Sequence, residues 1–274
     1  MLGVTGASGR LGGRIARLLA AAGVEQRLVL RDPSRAPALP GATVAQAEYA
    51  DPGAVRRALA GLDVVLMVSG SESPDRVADH QTFVDAAVEA GVRHLVYISF
   101  FGASPDATFL LARDHHLTER HLEQSSLDWT FLRDNLYADF LPMLAGDDGV
   151  IRGPADGGRV SVVGQDDIAA AATAVLLEPD GHAGATYSLT GPEALTLDEA
   201  AETMTRVLGR PYSFRDETLE EAYASRASTA PEWMVDAWVS TYTAIASGEL
   251  AAVTDDVERL TGRPATSLAD VLAG

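Results

Sequence analysis

Through the first half of the chain, short continuous apolar runs alternate with longer stretches in which apolar residues recur every three or four positions. The runs cover 1–4, 26–30, 43–47, 64–68, 95–98 and 129–132. Each has the length of a strand buried on both faces. Between the first two, helical spacing places Leu11, Ile15, Leu18, Leu19 and Ala22 on one face, and Gly23 stands where a helix stops. Asp51-Pro52 supplies an N-cap and first-turn proline for a helix over 55–60. A helix over 74–90 is predicted with Val77, Val84 and Val88 inward and Gly91 closing it. Further helices are predicted over 108–124 and 135–144. Strands and helices in this alternation predict an α/β fold, a doubly wound parallel sheet of the Rossmann type with right-handed crossovers.

Beyond residue 145 the texture changes. Turn-rich segments surround Val150-Ile151 and the run over 160–163, which reads as a loop or small hairpin. A helix over 167–177, a strand over 186–189 and a helix over 196–208 follow, with Thr196 and Glu199 at capping-box spacing. Tyr212, Tyr223, Trp233, Trp238 and Tyr242 lie in the remaining segment. We therefore expect a dinucleotide-binding domain over 1–145. A smaller α/β lobe over 146–274, free to interleave with the sheet, is expected over the carboxyl ends of the strands, where substrates of such folds bind.

The chemistry begins at the first strand-to-helix step, Thr5-Gly6-Ala7-Ser8-Gly9-Arg10-Leu11-Gly12-Gly13. Gly6 permits a tight turn, Gly9 leaves room for a pyrophosphate against the backbone, and Gly12 allows close packing of the helix. Free N–H groups at the helix start, with the favourable end of its dipole, complete an anion site. Gly6, Ser8, Gly9, Arg10, Leu11 and Gly12 are the expected cofactor contacts, joined by Ser69-Gly70 after the fourth strand. Cofactor choice falls at Leu30-Arg31-Asp32-Pro33. Arg31 suits a 2′-phosphate and Asp32 competes for ribose hydroxyls, but before Pro33 it reads as the start of a turn. NADP(H) is expected over NAD(H).

Composition narrows the partners. The 39 acidic and 21 basic residues give a formal charge of −18, which repels a phosphate backbone and argues against nucleic acid. No apolar run reaches the roughly 20 residues of a membrane span, and the glycine motif lies too early for a signal peptide, so a cytoplasmic protein is expected. Cysteine is absent, which removes disulfides and thiolate chemistry. Lysine is absent too, so no lysine-dependent mechanism operates.

The segments Gly3 to Leu19, Leu30 to Pro33, Tyr97 to Gly102, Ala112 to His115, Leu132 to Tyr137, Tyr187 to Pro192 and the ending around Gly248 to Arg263 occur in the order of the NmrA-like atypical short-chain dehydrogenases, which the whole chain resembles. The resemblance implies an NADP-binding domain with a C-terminal substrate lobe, and the pattern is nearest that of the NADPH-dependent quinone reductases. It also implies that Asp114 stands where some members carry a lysine. The Tyr-x-x-x-Lys dyad of typical dehydrogenases is excluded. Ser99 at the end of the fifth strand, His115 and Tyr137 are then the catalytic candidates, with Asn135 beside the cofactor. Phe101, Tyr137 and Trp233 are candidates for stacking a flat substrate.

A metal reading of Asp114, His115, His116, Glu119 and His121 lacks a third ligand at the required spacing, and none is expected. Asp147-Asp148 and Asp166-Asp167 read as turn and cap residues. The expected activity is hydride transfer to a quinone or related aromatic carbonyl compound. Two alternatives stay open: a cofactor-sensing regulator that binds a protein partner, and a lyase, isomerase or epimerase with tightly held nucleotide. A homodimer is a candidate assembly under any of these readings.

Overall fold

The computed structural model describes all 274 residues. Its main sheet has seven strands in the order β3-β2-β1-β4-β5-β6-β9. These are β1 (Leu2–Thr5), β2 (Gln26–Leu30), β3 (Ala42–Gln46), β4 (Val64–Val68), β5 (His94–Phe100), β6 (Asp128–Asp134) and β9 (Ala185–Leu189). Helices α1 (Arg10–Ala21), α2 (Pro52–Leu59), α3 (Arg76–Ala90) and α4 (Leu110–Gln124) alternate with the first six. β1 pairs in parallel with both β2 and β4, so the strand order reverses there. Such a reversal opens a crevice beyond the carboxyl ends of the strands.

Six strands were expected from the first half, and the seventh comes from the stretch assigned to the lobe. It lies beside β6, with Gly184 N–H donating to the Trp129 carbonyl and Asn135 N–H donating to the Leu189 carbonyl. The remaining elements are α5 (Leu141–Leu144), β7 (Val150–Gly153), β8 (Arg159–Val160), α6 (Gln165–Leu177), β10 (Leu195–Thr196), α7 (Leu197–Leu208), β11 (Ser213–Asp216), α8 (Leu219–Arg226), α9 (Glu232–Ala246), α10 (Asp256–Thr261) and α11 (Leu268–Ala273).

Two structural units gather these elements. The first holds residues 1–100, 114–133 and 168–187, and the second 101–113, 134–167 and 188–274. In the first, Val55 and Leu59 of α2, Phe83, Val84 and Ala87 of α3, and Leu122 of α4 pack with Val65, Met67, Leu95, Tyr97 and Phe131 of the sheet. Trp129 stacks on Phe131 with centroids 4.1 Å apart. In the second, β7 pairs in parallel with β11, and β8 pairs antiparallel with β10.

Several local expectations are corrected. Val150-Ile151 and the 160–163 run form no hairpin with each other, because each finds a strand from a later part of the chain. The helix expected over 135–144 starts only with a 3₁₀ turn at Ala138–Phe140 followed by α5. Asn135 still continues the sheet pairing, and Tyr137 bridges to Val163. In α1 the inward stripe centres on Gly12, Ile15, Ala16 and Leu19, which leaves Leu18 and Ala22 exposed. The two smallest residues admit the closest approach, so the helix is rolled toward them. In α3 the inward face is Arg76, His80, Phe83, Val84 and Ala87, with Val77 and Val88 only half-buried. The capping box of Thr196 and Glu199 forms as expected.

Phe83 is fully buried at the centre of the first core. Phe83→Ala is expected to cost about 3–5 kcal/mol, read as a lower urea midpoint at unchanged slope.

Candidate active site

The glycine loop is built around one carbonyl. Gly6 adopts φ +66°, Gly9 N–H donates to the Gly6 carbonyl at 2.9 Å, and α1 begins at once. A Cβ on Gly12 would lie 2.5 Å from the Gly6 oxygen and 2.6 Å from its carbon, so no other residue fits. The first intrahelical bond is Gly13 N–H to the Gly9 carbonyl. The N–H groups of Leu11 and Gly12 precede it in the first turn, the part of a helix that a pyrophosphate uses. Ser8, Gly9 and Arg10 are exposed there, while Leu11 is buried beneath them.

Behind the loop is a closed ring of hydrogen bonds that motif reading misses. Val68 N–H donates to Thr5 Oγ1 at 2.9 Å, the Thr5 hydroxyl pairs with Tyr49 Oη at 2.6 Å, and the Tyr49 hydroxyl donates to the Val68 carbonyl at 2.7 Å. The ring ties the carboxyl ends of β1 and β4 together beside the strand reversal. Burial pushes the Tyr49 phenol well up, so it stays protonated.

At the end of β2, Arg31 is exposed. Asp32 turns back, its Oδ1 accepting from Ser34 N–H at 3.0 Å and from the Ser34 hydroxyl at 2.6 Å. Those bonds hold the carboxyl below its ordinary range. The residue that competes for ribose hydroxyls is thus occupied, and the guanidinium that suits a 2′-phosphate is presented outward. The donors present fit a phosphorylated dinucleotide.

Two neutral imidazoles sit over β5. Gly70 N–H donates to His80 Nε2 at 2.8 Å, so the ring proton is on Nδ1 and donates to Thr118 Oγ1 at 3.0 Å. Arg76 Nη2 donates to His115 Nε2 at 2.9 Å, which leaves His115 Nδ1–H to donate to Tyr97 Oη at 2.9 Å. Burial, with the Arg76 charge second, drives His80 down to about 3 and His115 well below the ordinary imidazole range. Burial likewise raises the Tyr97 phenol far above its usual range. Ser99 is fully buried, and its hydroxyl donates to Glu119 Oε1 at 2.6 Å. Glu119 in turn holds Arg133 through two bonds of 2.8 and 2.6 Å.

The first unit therefore gathers Gly6, Ser8, Gly9, Arg10, Leu11, Gly12, Ser69, Gly70, Arg31, Ser99 and His115. Phe101, Asn135, Tyr137 and Trp233 belong to the second. Asn135 is fully buried, its amide donating to Ser161 Oγ and the Leu250 carbonyl and accepting from Leu136 N–H. The Tyr137 hydroxyl donates to Asp134 Oδ2 at 2.7 Å, and its ring meets Phe140 edge-on. Phe101 is buried and Trp233, on α9, is half-buried.

The acidic and histidine residues of α4 disperse: His115 and Glu119 turn inward, and His121 meets Asp85. Asp148 binds Arg152, as a turn residue can. Asp167 departs from its expected capping role, since its buried carboxylate takes Thr266 N–H, the Thr266 hydroxyl and Arg263. Arg76, His80, Tyr97 and Arg133 escaped sequence reasoning, which weighed Glu119 only as a metal ligand. Their one signal was polar residues at helical spacing, Arg76 and His80, where a core face was needed.

Loop, sheet order and strand reversal define a dinucleotide-binding α/β protein. A family described as NAD(P)H-binding matches residues 6–179. A (4-alkanoyl-5-oxo-2,5-dihydrofuran-3-yl)methyl phosphate reductase from Streptomyces griseus is 34% identical over 98% of this chain and 96% of its own. An NAD(P)H azoreductase from Xenophilus azovorans is 33% identical over 98% and 96%. The crystal structure of an NADPH-dependent quinone oxidoreductase from Escherichia coli, complexed with NADPH, superposes with a TM-score of 0.90 at 30% identity, covering 100% of this chain and 99% of that one. The chain belongs to the NAD(P)H-binding family, as an NmrA-like atypical short-chain dehydrogenase.

The neutral histidines make stability pH-dependent. With folded values below the ordinary 6.5, the unfolded chain takes up protons that His80 and His115 refuse as pH falls. The His80 contribution is complete above about pH 6.5 and is lost progressively toward about pH 3, and the His115 contribution is lost in the same direction. The urea midpoint is expected to drop from pH 7 to pH 5, and the drop to be smaller in His80→Gln.

Proposed function

We propose that this protein is an NADPH-dependent reductase that delivers hydride to a quinone or a related aromatic carbonyl compound. The observation that carries the reading is the state of the proton-bearing groups on β5 and α4. His115 is neutral with both ring nitrogens engaged, Tyr97 is held protonated, and the Ser99 hydroxyl is committed to Glu119. With no lysine in the chain, neither His115 nor Tyr97 is an acid tuned near neutrality to protonate an unreactive carbonyl.

An electrophilic quinone suits such a site. The bound cofactor supplies a hydride, and the acceptor takes it without prior protonation. Water then supplies the remaining proton to the reduced oxygen. What the protein contributes is position and the exclusion of competing reactions. The first-turn N–H groups of α1 hold the pyrophosphate, Arg31 holds the 2′-phosphate, and Gly70, locked through His80, shapes the loop after β4. In this reading His115 positions its neighbours instead of donating a proton, and Ser99 orients Glu119. Within the second unit, Phe101, Tyr137 and Trp233 are the aromatic candidates for a flat acceptor, and Asn135 fixes the chain after β6. The reductase names of the related proteins from Streptomyces griseus and Xenophilus azovorans support the same chemistry.

Purified protein mixed with NADPH and a panel of quinones is expected to consume the reduced cofactor catalytically. Tight NADPH binding with no turnover across the panel would overturn the reading in favour of a cofactor-sensing role. Arg31→Ala is expected to weaken NADPH by about tenfold or more, the worth of a charge-assisted phosphate contact, and to leave NADH nearly unchanged. Equal losses for both cofactors, measured by fluorescence titration, would remove Arg31 from the 2′-phosphate site.

A further inference from the structure

Arg76 is the charge in the first unit that the fold leaves unbalanced. It opens α3 and is only 5% exposed, yet its Nε and Nη1 have no hydrogen-bond partner. Its Nη2 is spent on His115, an uncharged acceptor. The one carboxylate in range is Asp114, whose Oδ2 stands 3.8 Å from Nη1, too far for a hydrogen bond. A guanidinium does not shed its proton to escape burial, as a lysine can. Burying it against a neutral imidazole and a distant carboxylate is therefore unfavourable, and packing does not explain it. Its surroundings suggest what would complete it. Arg76 follows the 69–75 loop at the end of β4, and the ring of Phe100, the last residue of β5, is 6.1 Å from that of His115. The unpaired N–H groups thus lie buried beside His115, a ring neighbour of the last residue of β5.

We propose that Arg76 binds a negatively charged oxygen of the substrate, with Asp114 as the resident counter-ion that this oxygen displaces. Resting on the reductase reading above, the ligand class is an aromatic oxyanion, such as the enolate or phenolate that hydride addition to a quinone leaves. Arg76 Nη1, the nitrogen that faces Asp114, is the donor for such an oxygen, and charge-assisted bonds of this kind are the strong ones. His115 holds the guanidinium in place through Nη2 and, being neutral, adds no repulsion. Asp114 is more exposed than Arg76, at 27% of its side chain, so it can give way toward solvent.

The test uses protein saturated with oxidised NADP, so that no turnover occurs, titrated near neutral pH with hydroxynaphthoquinone, whose hydroxyl is then ionised. Methylnaphthoquinone, uncharged and of similar shape, is the control. Arg76→Met is expected to weaken the enolate by about tenfold or more, and the uncharged quinone by less than about twofold. Asp114→Asn, which removes the competing carboxylate, is expected to tighten the enolate. Because a buried, poorly paired charge is replaced by an apolar chain, Arg76→Met should melt no lower than the parent protein. Unchanged enolate affinity in Arg76→Met, equal loss of both quinones, or unchanged or weaker enolate binding in Asp114→Asn would overturn the proposal. A lower melting temperature without selective loss of the enolate would assign Arg76 a structural role and overturn it equally. The titration is independent of turnover: Arg76-dependent enolate binding in a protein that oxidises no NADPH would sink the reductase reading and leave the oxyanion site standing.

Discussion

The approach of α1 to the Gly6 carbonyl is the constraint on which the site depends. With only 2.5 Å available at the place of a Gly12 Cβ, the helix start is pressed against the loop that leaves β1, and its first-turn N–H groups are set at the strand reversal. Everything that would contact a dinucleotide is measured from that point. The Thr5, Tyr49 and Val68 ring braces it from behind by joining β1 to β4 through side chains. The roll of α1 toward Gly12 and Ala16 has the same cause, since the smallest residues permit the closest helix-to-sheet contact.

A second theme is the suppression of charge beside the central strands. Two imidazoles are kept neutral by burial and by the donors aimed at them, and two phenols are held protonated. A reductase whose acceptor is already electrophilic has no need of a tuned acid, and a site without one discriminates against carbonyls that require protonation. Against this background a buried guanidinium with two unpaired N–H groups is the exception. The Glu119 and Arg133 pair, by contrast, is bidentate and further bonded to Ser99, so its charges are matched within the fold.

Much of the architecture was legible because it rests on short-range chemistry. Continuous apolar runs give buried strands, and β2 and β4 fell on the expected residues. Asp51-Pro52 and the Thr196 to Glu199 box start helices through bonds made within one turn. Asp32 behaved as a turn residue because its partner, Ser34, is two positions away. Illegible were features whose partners lie far along the chain. Val150-Ile151 could not announce that its strand partner is Ser213–Asp216, and Asn135 could not announce Ser161 and Leu250. The full inward face of α3 was hidden because Arg76 and His80 are polar and find their partners only when Gly70, His115 and Thr118 are brought to them.

By itself, then, the sequence determined the glycine turn, the alternation of strand and helix, the exposed arginine after β2 and the absence of lysine, since each depends on residue type and local backbone geometry. Only the tertiary structure decided the protonation states of His80 and His115, the engagement of Ser99, the place of the seventh strand in the main sheet and the unbalanced charge of Arg76. Those follow from burial and from donors and acceptors separated by tens of residues, and a pattern of residue types carries neither.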